Sequence, residues 1–192
     1  ITKATLGASD YTAPAASDVT FDGTAKALHT LGSIEGSKGT LQFASSATAA
    51  EAEWQTTAIT ATTAGSYTVY YRIKGNDNYF DVAPQLISDT KVKQIELTVV
   101  ASSRTVAYTG TAVANQELYT ITSGALIAAD ASNTALKNSL VNVGWIGSAT
   151  QPVNANADGW VFNLTAGTTQ NYKVTVTEGS ASGNLIITKQ SI

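Results

Sequence analysis

Ser66-Tyr67-Thr68-Val69-Tyr70-Tyr71-Arg72-Ile73-Lys74 is the stretch on which the reading of this chain turns. Tyr67, Val69, Tyr71 and Ile73 share one phase; Ser66, Thr68, Tyr70, Arg72 and Lys74 share the other. A period of two belongs to a strand with one face in a core and the other in water. The pattern returns further along. Trp160, Phe162 and Leu164 alternate with Val161 and Asn163, and Tyr172, Val174 and Val176 with Lys173, Thr175 and Thr177. Ile95 to Val99 alternates too and reads as the strand that closes the first half. Between these runs stand Gly32-Ser33, Gly36-Ser37, Asn76-Asp77, Asp158-Gly159 and Ser182-Gly183-Asn184. Such residues make turns because Gly accepts positive φ and Asn or Asp bonds its own backbone. Many short strands between turn signals predict an all-β chain with little or no helix. The one helical candidate is Asp130 to Val141, where Leu136 and Leu140 stand four apart; a short helix or an insertion is expected there.

The chain also repeats itself. Phe21-Asp22-Gly23-Thr24-Ala25 corresponds to Tyr108-Thr109-Gly110-Thr111-Ala112, and Trp54 is matched to Trp145. Ala64-Gly65-Ser66-Tyr67 corresponds to Ala157-Asp158-Gly159-Trp160, and Asn78-Tyr79 to Asn171-Tyr172, both at an offset of 93 residues. The opening Ile1-Thr2-Lys3 is restated by the closing Ile187-Thr188-Lys189, with Leu97-Thr98-Val99 as a looser copy. A period of this length is that of one Ig-like sandwich. The expectation is two tandem Ig-like antiparallel β-sandwich domains, 1–96 and 97–192, with 187–189 opening a third unit or serving as a shared final strand. Tyr67 stands where such folds carry a tyrosine corner, whose hydroxyl bonds back to upstream backbone. Trp160 has no hydroxyl to make the same bond.

These residues resemble a known family. Ile1-Thr2-Lys3-Ala4, Phe21-Asp22-Gly23-Thr24-Ala25, Ala64 to Tyr71 and Lys74-Gly75-Asn76-Asp77-Asn78-Tyr79 resemble the bacterial MBG-type Ig-like repeats. The second half, with Tyr108-Thr109-Gly110-Thr111-Ala112 and Gln170-Asn171-Tyr172, is similar to the related YDG-type repeats, but carries Thr109 where that family usually has Asp. The resemblance implies a segment of a large extracellular protein, bacterial cell-surface or secreted and adhesin-like. It implies neighbouring repeats of the same polypeptide as partners and no catalytic residues. A non-catalytic structural spacer is the first expectation. The alternative is a module that binds a host or environmental glycan or protein through exposed aromatics.

Composition narrows the chemistry. Charged residues are 13% of the chain and the net charge is −3, without a basic cluster, so phosphate backbones have nothing to grip. No run approaches the roughly 18 apolar residues of a membrane-spanning helix. Cysteine is absent and His29 is the only histidine, which removes disulfides, the common metal-ligand clusters and the Cys–His dyad; a Ser-His-Asp triad stays arithmetically open, with no nucleophile-elbow sequence to support it. His29 lies out of phase with Leu28 and is expected to face solvent from a strand. Neither Glu51 with Glu53 nor Asp18 with Asp22 sits in a glycosidase context. No cofactor is called for, and the chain is read as not an enzyme.

Two candidate sites remain. Trp54 and Trp145 recur in both halves, which favours a shared packing role over stacking platforms for sugars; Tyr70, outward by phase, and Tyr79, after a turn, are better placed for an exposed aromatic patch. Asn76, Asp77, Asn78 and Asp81 cluster oxygens of the kind Ca²⁺ takes, in a stretch whose simplest reading is turn chemistry. A Lys–Asn isopeptide bond promoted by a buried acid is a further possibility, since all three residue types are present.

Overall fold

The computed structural model describes residues 2–148 and 150–190. About 43% of it is strand and 6% helix, arranged in several sheets, so the all-β expectation holds. The chain divides into two compact units, with the break between Lys93 and Gln94.

The first unit contains β1 (Tyr11–Thr12), β2 (Val19–Thr20), β3 (Lys26–Ala27), β4 (Ser33–Ile34), β5 (Thr40–Ala44), β6 (Thr60–Ala61), β7 (Gly65–Ser66), β8 (Val69–Lys74), β9 (Val82–Ile87) and β10 (Lys91–Lys93). Strand β8 is the stretch quoted above, less its first residues. It pairs antiparallel with β5 and β9, and Val69, Tyr71 and Ile73 are buried as their phase requires. Each such side chain contributes roughly 1.5–3 kcal/mol by leaving water. Strand β9 is one edge of this sheet and β5 the other. The β9 edge carries Pro84, and its register against β8 shifts between Tyr71 and Ile73. Strand β10 joins β7 antiparallel and β2 parallel, and two short pairs, β1 with β4 and β3 with β6, complete the unit.

The second unit contains β11 (Ile95–Ala101), β12 (Arg104–Ala107), β13 (Tyr119–Ser123), α1 (Thr134–Ser139), β14 (Val141–Trp145), β15 (Asn156–Ala166), β16 (Tyr172–Val176) and β17 (Ser182–Thr188). Helix α1 is the short helix expected after Asp130, with Asn133 accepting the Leu136 amide as its N-cap. One sheet orders β13-β11-β16 and the other β12-β17-β15-β14. Leu97, Val99, Phe162, Leu164, Tyr172, Val174, Leu185 and Ile187 are buried. The Phe162 ring lies over Gly183, where a Cβ would come within 2.4 Å of it.

Two expectations about the ends of units change here. Strand β11 pairs with β13 and β16, so Ile95 to Val99 opens the second unit rather than closing the first. Ile187 and Thr188 lie in β17, paired with β12 and β15, and finish the second unit's own sheet. Ala4 bridges Tyr79 within the first unit, and Ile187 pairs with Val106 within the second. Ile1, Ser191 and Ile192 lie outside the described residues.

Other repeated landmarks occupy matching places. The Phe21 amide donates to Lys93 O and the Tyr108 amide to Thr188 O, both at 2.9 Å. The Ala4 amide donates to Asn78 O at 2.8 Å and the Ile95 amide to Asn171 O at 3.0 Å. In each unit a segment near the entering end thus runs parallel to one near the leaving end. Val19 and Thr20 pair with Val92 and Lys93, and Arg104 to Ala107 with Leu185 to Thr188.

Candidate functional site

The repeat places two turns in register. In the first, Gly23 sits at φ 84° and Asp22 Oδ1 accepts from the Thr24 amide at 2.9 Å and its hydroxyl at 2.6 Å. Lys26 caps the same carboxylate, and together with Thr24 it draws the Asp22 pKa down to about 2. In the second, Gly110 sits at φ 74°, and the Thr109 hydroxyl takes the carboxylate's place, 2.8 Å from the Thr111 hydroxyl and 3.4 Å from its amide. Only Gly meets this backbone without strain.

The corner is also repeated, with different chemistry. Tyr67 donates its hydroxyl to Thr63 O at 2.6 Å. At the matching place Trp160 donates its indole N–H to Asn154 O at 3.3 Å. A ring N–H does what the sequence alone reserved for a hydroxyl: it ties an upstream loop to the start of a long strand.

His29 is buried, not solvent-facing as expected. Strand β3 ends at Ala27, and the period of two ends with it, so Leu28 and His29 are buried in succession. The Leu28 amide donates to Ile59 O, and the Ile59 amide donates to His29 Nε2 at 3.0 Å. Nδ1 then carries the proton and donates to Thr30 O at 2.8 Å. The ring lies 4.3 Å from that of Phe43. Burial pushes the His29 pKa below its ordinary value, against a smaller opposing effect of the Thr30 carbonyl. The imidazole is a neutral splice in the backbone bonding.

The aromatic candidates are separate. Trp54 is buried, donates Nε1–H to Ala49 O at 3.2 Å, and has the Arg72 guanidinium 4.4 Å over its ring. Arg72 in turn holds Gln42 at 2.8 Å and Glu51 at 2.6 Å. This is a clasp for the loop after β5, with no free ring face for a sugar. Trp145 is half-buried at the end of β14, edge-on to Phe162 at 5.4 Å. It lies on a strand, whereas Trp54 follows a 3₁₀ turn, so their match in sequence is not one of structure. Tyr70 is half-buried and lies between Ala44 and the exposed Leu86 across β8; Tyr79 is half-buried at its bridge to Ala4, beside the exposed Phe80.

The oxygen cluster is engaged by the protein itself. Asn76 Oδ1 accepts the amides of Asn78 at 2.9 Å and Tyr79 at 3.1 Å. Asp81 accepts Lys74 Nζ at 2.8 Å and the Gly75 amide at 2.9 Å, and Lys74 foremost lowers its pKa. Asp77 and Asn78 are exposed. Among the described residues no group of three or more His, Asp or Glu side chains is placed to hold a metal. No described lysine is buried, which leaves the isopeptide idea without the enclosed trio it needs.

Besides a smaller depression of about 200 Å³ lined by Val106, Thr111, Val113, Val153 and Ile187, the second unit has two more open ones. One, of about 520 Å³, is lined by Ser102, Arg104, Gln116, Glu117, Thr120 and Lys137, with Arg104 and Glu117 paired at 2.7 Å. The other, of about 410 Å³, is lined by Tyr108, Asn154, Ala155, Lys189 and Gln190. Tyr108 is 40% exposed, while Phe21, its counterpart, is 6% exposed. In the sequence the two differ by a single hydroxyl at one repeat landmark, which gives little sign of their different burial.

No family model, curated protein or solved structure matches the chain. No helix among the described residues is long and apolar enough to cross a membrane.

Proposed function

We propose that the chain is a pair of Ig-like β-sandwich repeats, of the MBG and YDG kind it resembles, serving as a non-catalytic spacer in an extracellular, adhesin-like bacterial protein. The observation that carries the reading is the direction of strand pairing. In parallel neighbours, a pull on the entering end of one strand and the leaving end of the other runs along both and loads their hydrogen bonds together, in shear. The first unit offers two such pairs between β2 and β10 and the Ala4–Tyr79 bridge. The second offers four between β12 and β17 and five between β11 and β16. Units that add stability one by one suit a chain that must hold tension over its length.

Single-molecule stretching by the chain ends tests this. Two unfolding events are expected, each releasing roughly 30 nm, since an extended residue spans about 3.3–3.6 Å. The second unit is expected to open at the higher force. Extension without resolvable force peaks removes the spacer reading.

A further inference from the structure

Equivalent positions in a repeat ordinarily keep equivalent burial, because the same backbone presents them to the same core. Phe21 and Tyr108 break this rule. Their amides make the same bond, to Lys93 O and Thr188 O, and each precedes a glycine turn at positive φ. Yet Phe21 is buried and the Tyr108 ring stands open to solvent. Its hydroxyl folds back to within 3.7 Å of where a Cβ would stand on Gly110.

What surrounds the ring is equally specific. Asn154 and Ala155 form one wall; Lys189 and Gln190, just past β17, form the other. The Asn154 wall is pinned from behind, because its carbonyl accepts the Trp160 indole N–H. The Lys189 wall follows Thr188, whose carbonyl holds Tyr108 itself. Two carboxamides bring both donors and acceptors, and the lysine brings donors. The depression falls within the roughly 300–1,000 Å³ of small-molecule sites.

An exposed aromatic face flanked by amide side chains matches a ligand with one C–H face and a rim of hydroxyls. The hydroxyls meet the amides, which donate and accept at once, and the C–H face meets the ring. We infer that the Tyr108 depression of the second unit binds a neutral pyranose of a saccharide chain. The site is independent of the spacer reading, since it uses side chains that make no strand-to-strand bond. The first unit has no counterpart, because Phe21 is inside.

The test is a two-dimensional NMR titration of the whole chain with four soluble probes: cellohexaose, xylohexaose, mannohexaose and chitohexaose. Saturable shifts confined to the surroundings of Tyr108, Asn154 and Lys189 are expected with at least one of them. Tyr108→Ala is expected to weaken binding at least about ten-fold, and Tyr108→Phe to keep most of it, because the ring face carries the contact. Phe80→Ala, which removes an exposed aromatic of the first unit, serves as the control and leaves affinity unchanged. The Tyr108 side chain is exposed, so its removal leaves the fold intact, which the unchanged remainder of the spectrum verifies. No saturable shift with any probe up to about 10 mM overturns the inference. So does binding that Tyr108→Ala leaves untouched, or shifts that depend on protein concentration alone and mark self-association.

Discussion

The two units share a bonding scheme and differ in what fills it. Where the first has Asp22, Tyr67, Phe21 and Val69, the second has Thr109, Trp160, Tyr108 and Phe162. The backbone bonds survive every exchange: the turn glycine keeps positive φ, the corner still reaches an upstream carbonyl, and the amide after β2 or β12 still finds the last strand. The scheme is thus fixed by backbone geometry and tolerates any side chain that supplies a donor or fills a volume. The first unit buries Phe21, Phe43, Trp54 and Tyr71 and binds its loops with a histidine and an arginine, whereas the second buries Tyr119, Phe162 and Tyr172.

The largest test of that difference concerns the core. Phe162 is fully buried and covers Gly183, so Phe162→Ala is expected to cost about 3–5 kcal/mol. Val69→Ala, at the matching place, costs about 2 kcal/mol. Hydrogen exchange in β15 and in β8 reads each separately, and equal losses break the comparison.

The next concerns His29. His29→Ala leaves the Ile59 amide without its acceptor and opens space beside Phe43, for about 2–3 kcal/mol. The same residue gives the first unit a pH dependence. Its folded pKa lies below the ordinary value of 6.5, so the unfolded chain takes up the proton first as pH falls. Stability is complete above about pH 6.5 and declines below it until the folded pKa is reached. His29 is the only histidine, so the second unit is expected to keep its stability through that window. Urea unfolding at pH 7.5 and 5.5, followed by amide signals of each unit, checks this. An equal decline in both units refutes it.

Smaller effects come from the corners and turns. Tyr67→Phe and Trp160→Phe each remove one hydrogen bond to backbone and are expected to cost about 1 kcal/mol. If only the first does so, the indole bond is geometry without consequence. Thr109→Asp restores the carboxylate of the first turn without the lysine that faces Asp22. A rise in melting temperature of about 1–2 °C is expected in calorimetry, and a fall breaks the equivalence of the two turns.

Legibility followed periodicity. The phase of β8, β15 and β16 was plain in the sequence because each has one buried face, and the 93-residue offset survived because the turns it marks need Gly and Asn. The rest escaped for physical reasons. His29 lies beyond the end of β3, where alternation no longer applies, and its burial depends on an amide thirty residues away. Trp54 and Trp145 share a letter but not a place, since one follows a turn and the other ends a strand. Asn76 and Asp81 have the oxygens of a cation site, but backbone amides and Lys74 use them first. The depression at Tyr108 is lined by residues from distant parts of the chain, which no local pattern records.

Pro84 has a consequence of its own. A chain that repeats itself keeps, beside every strand, a near copy of that strand's proper partner. The open side of β9 is where such a copy would add, since an edge offers a row of unused amides and carbonyls. Pro84 has no amide to offer, and the register shift beside it twists the row out of line. One imino acid thus removes a donor from the β9 row and makes that edge a poorer template for an added strand.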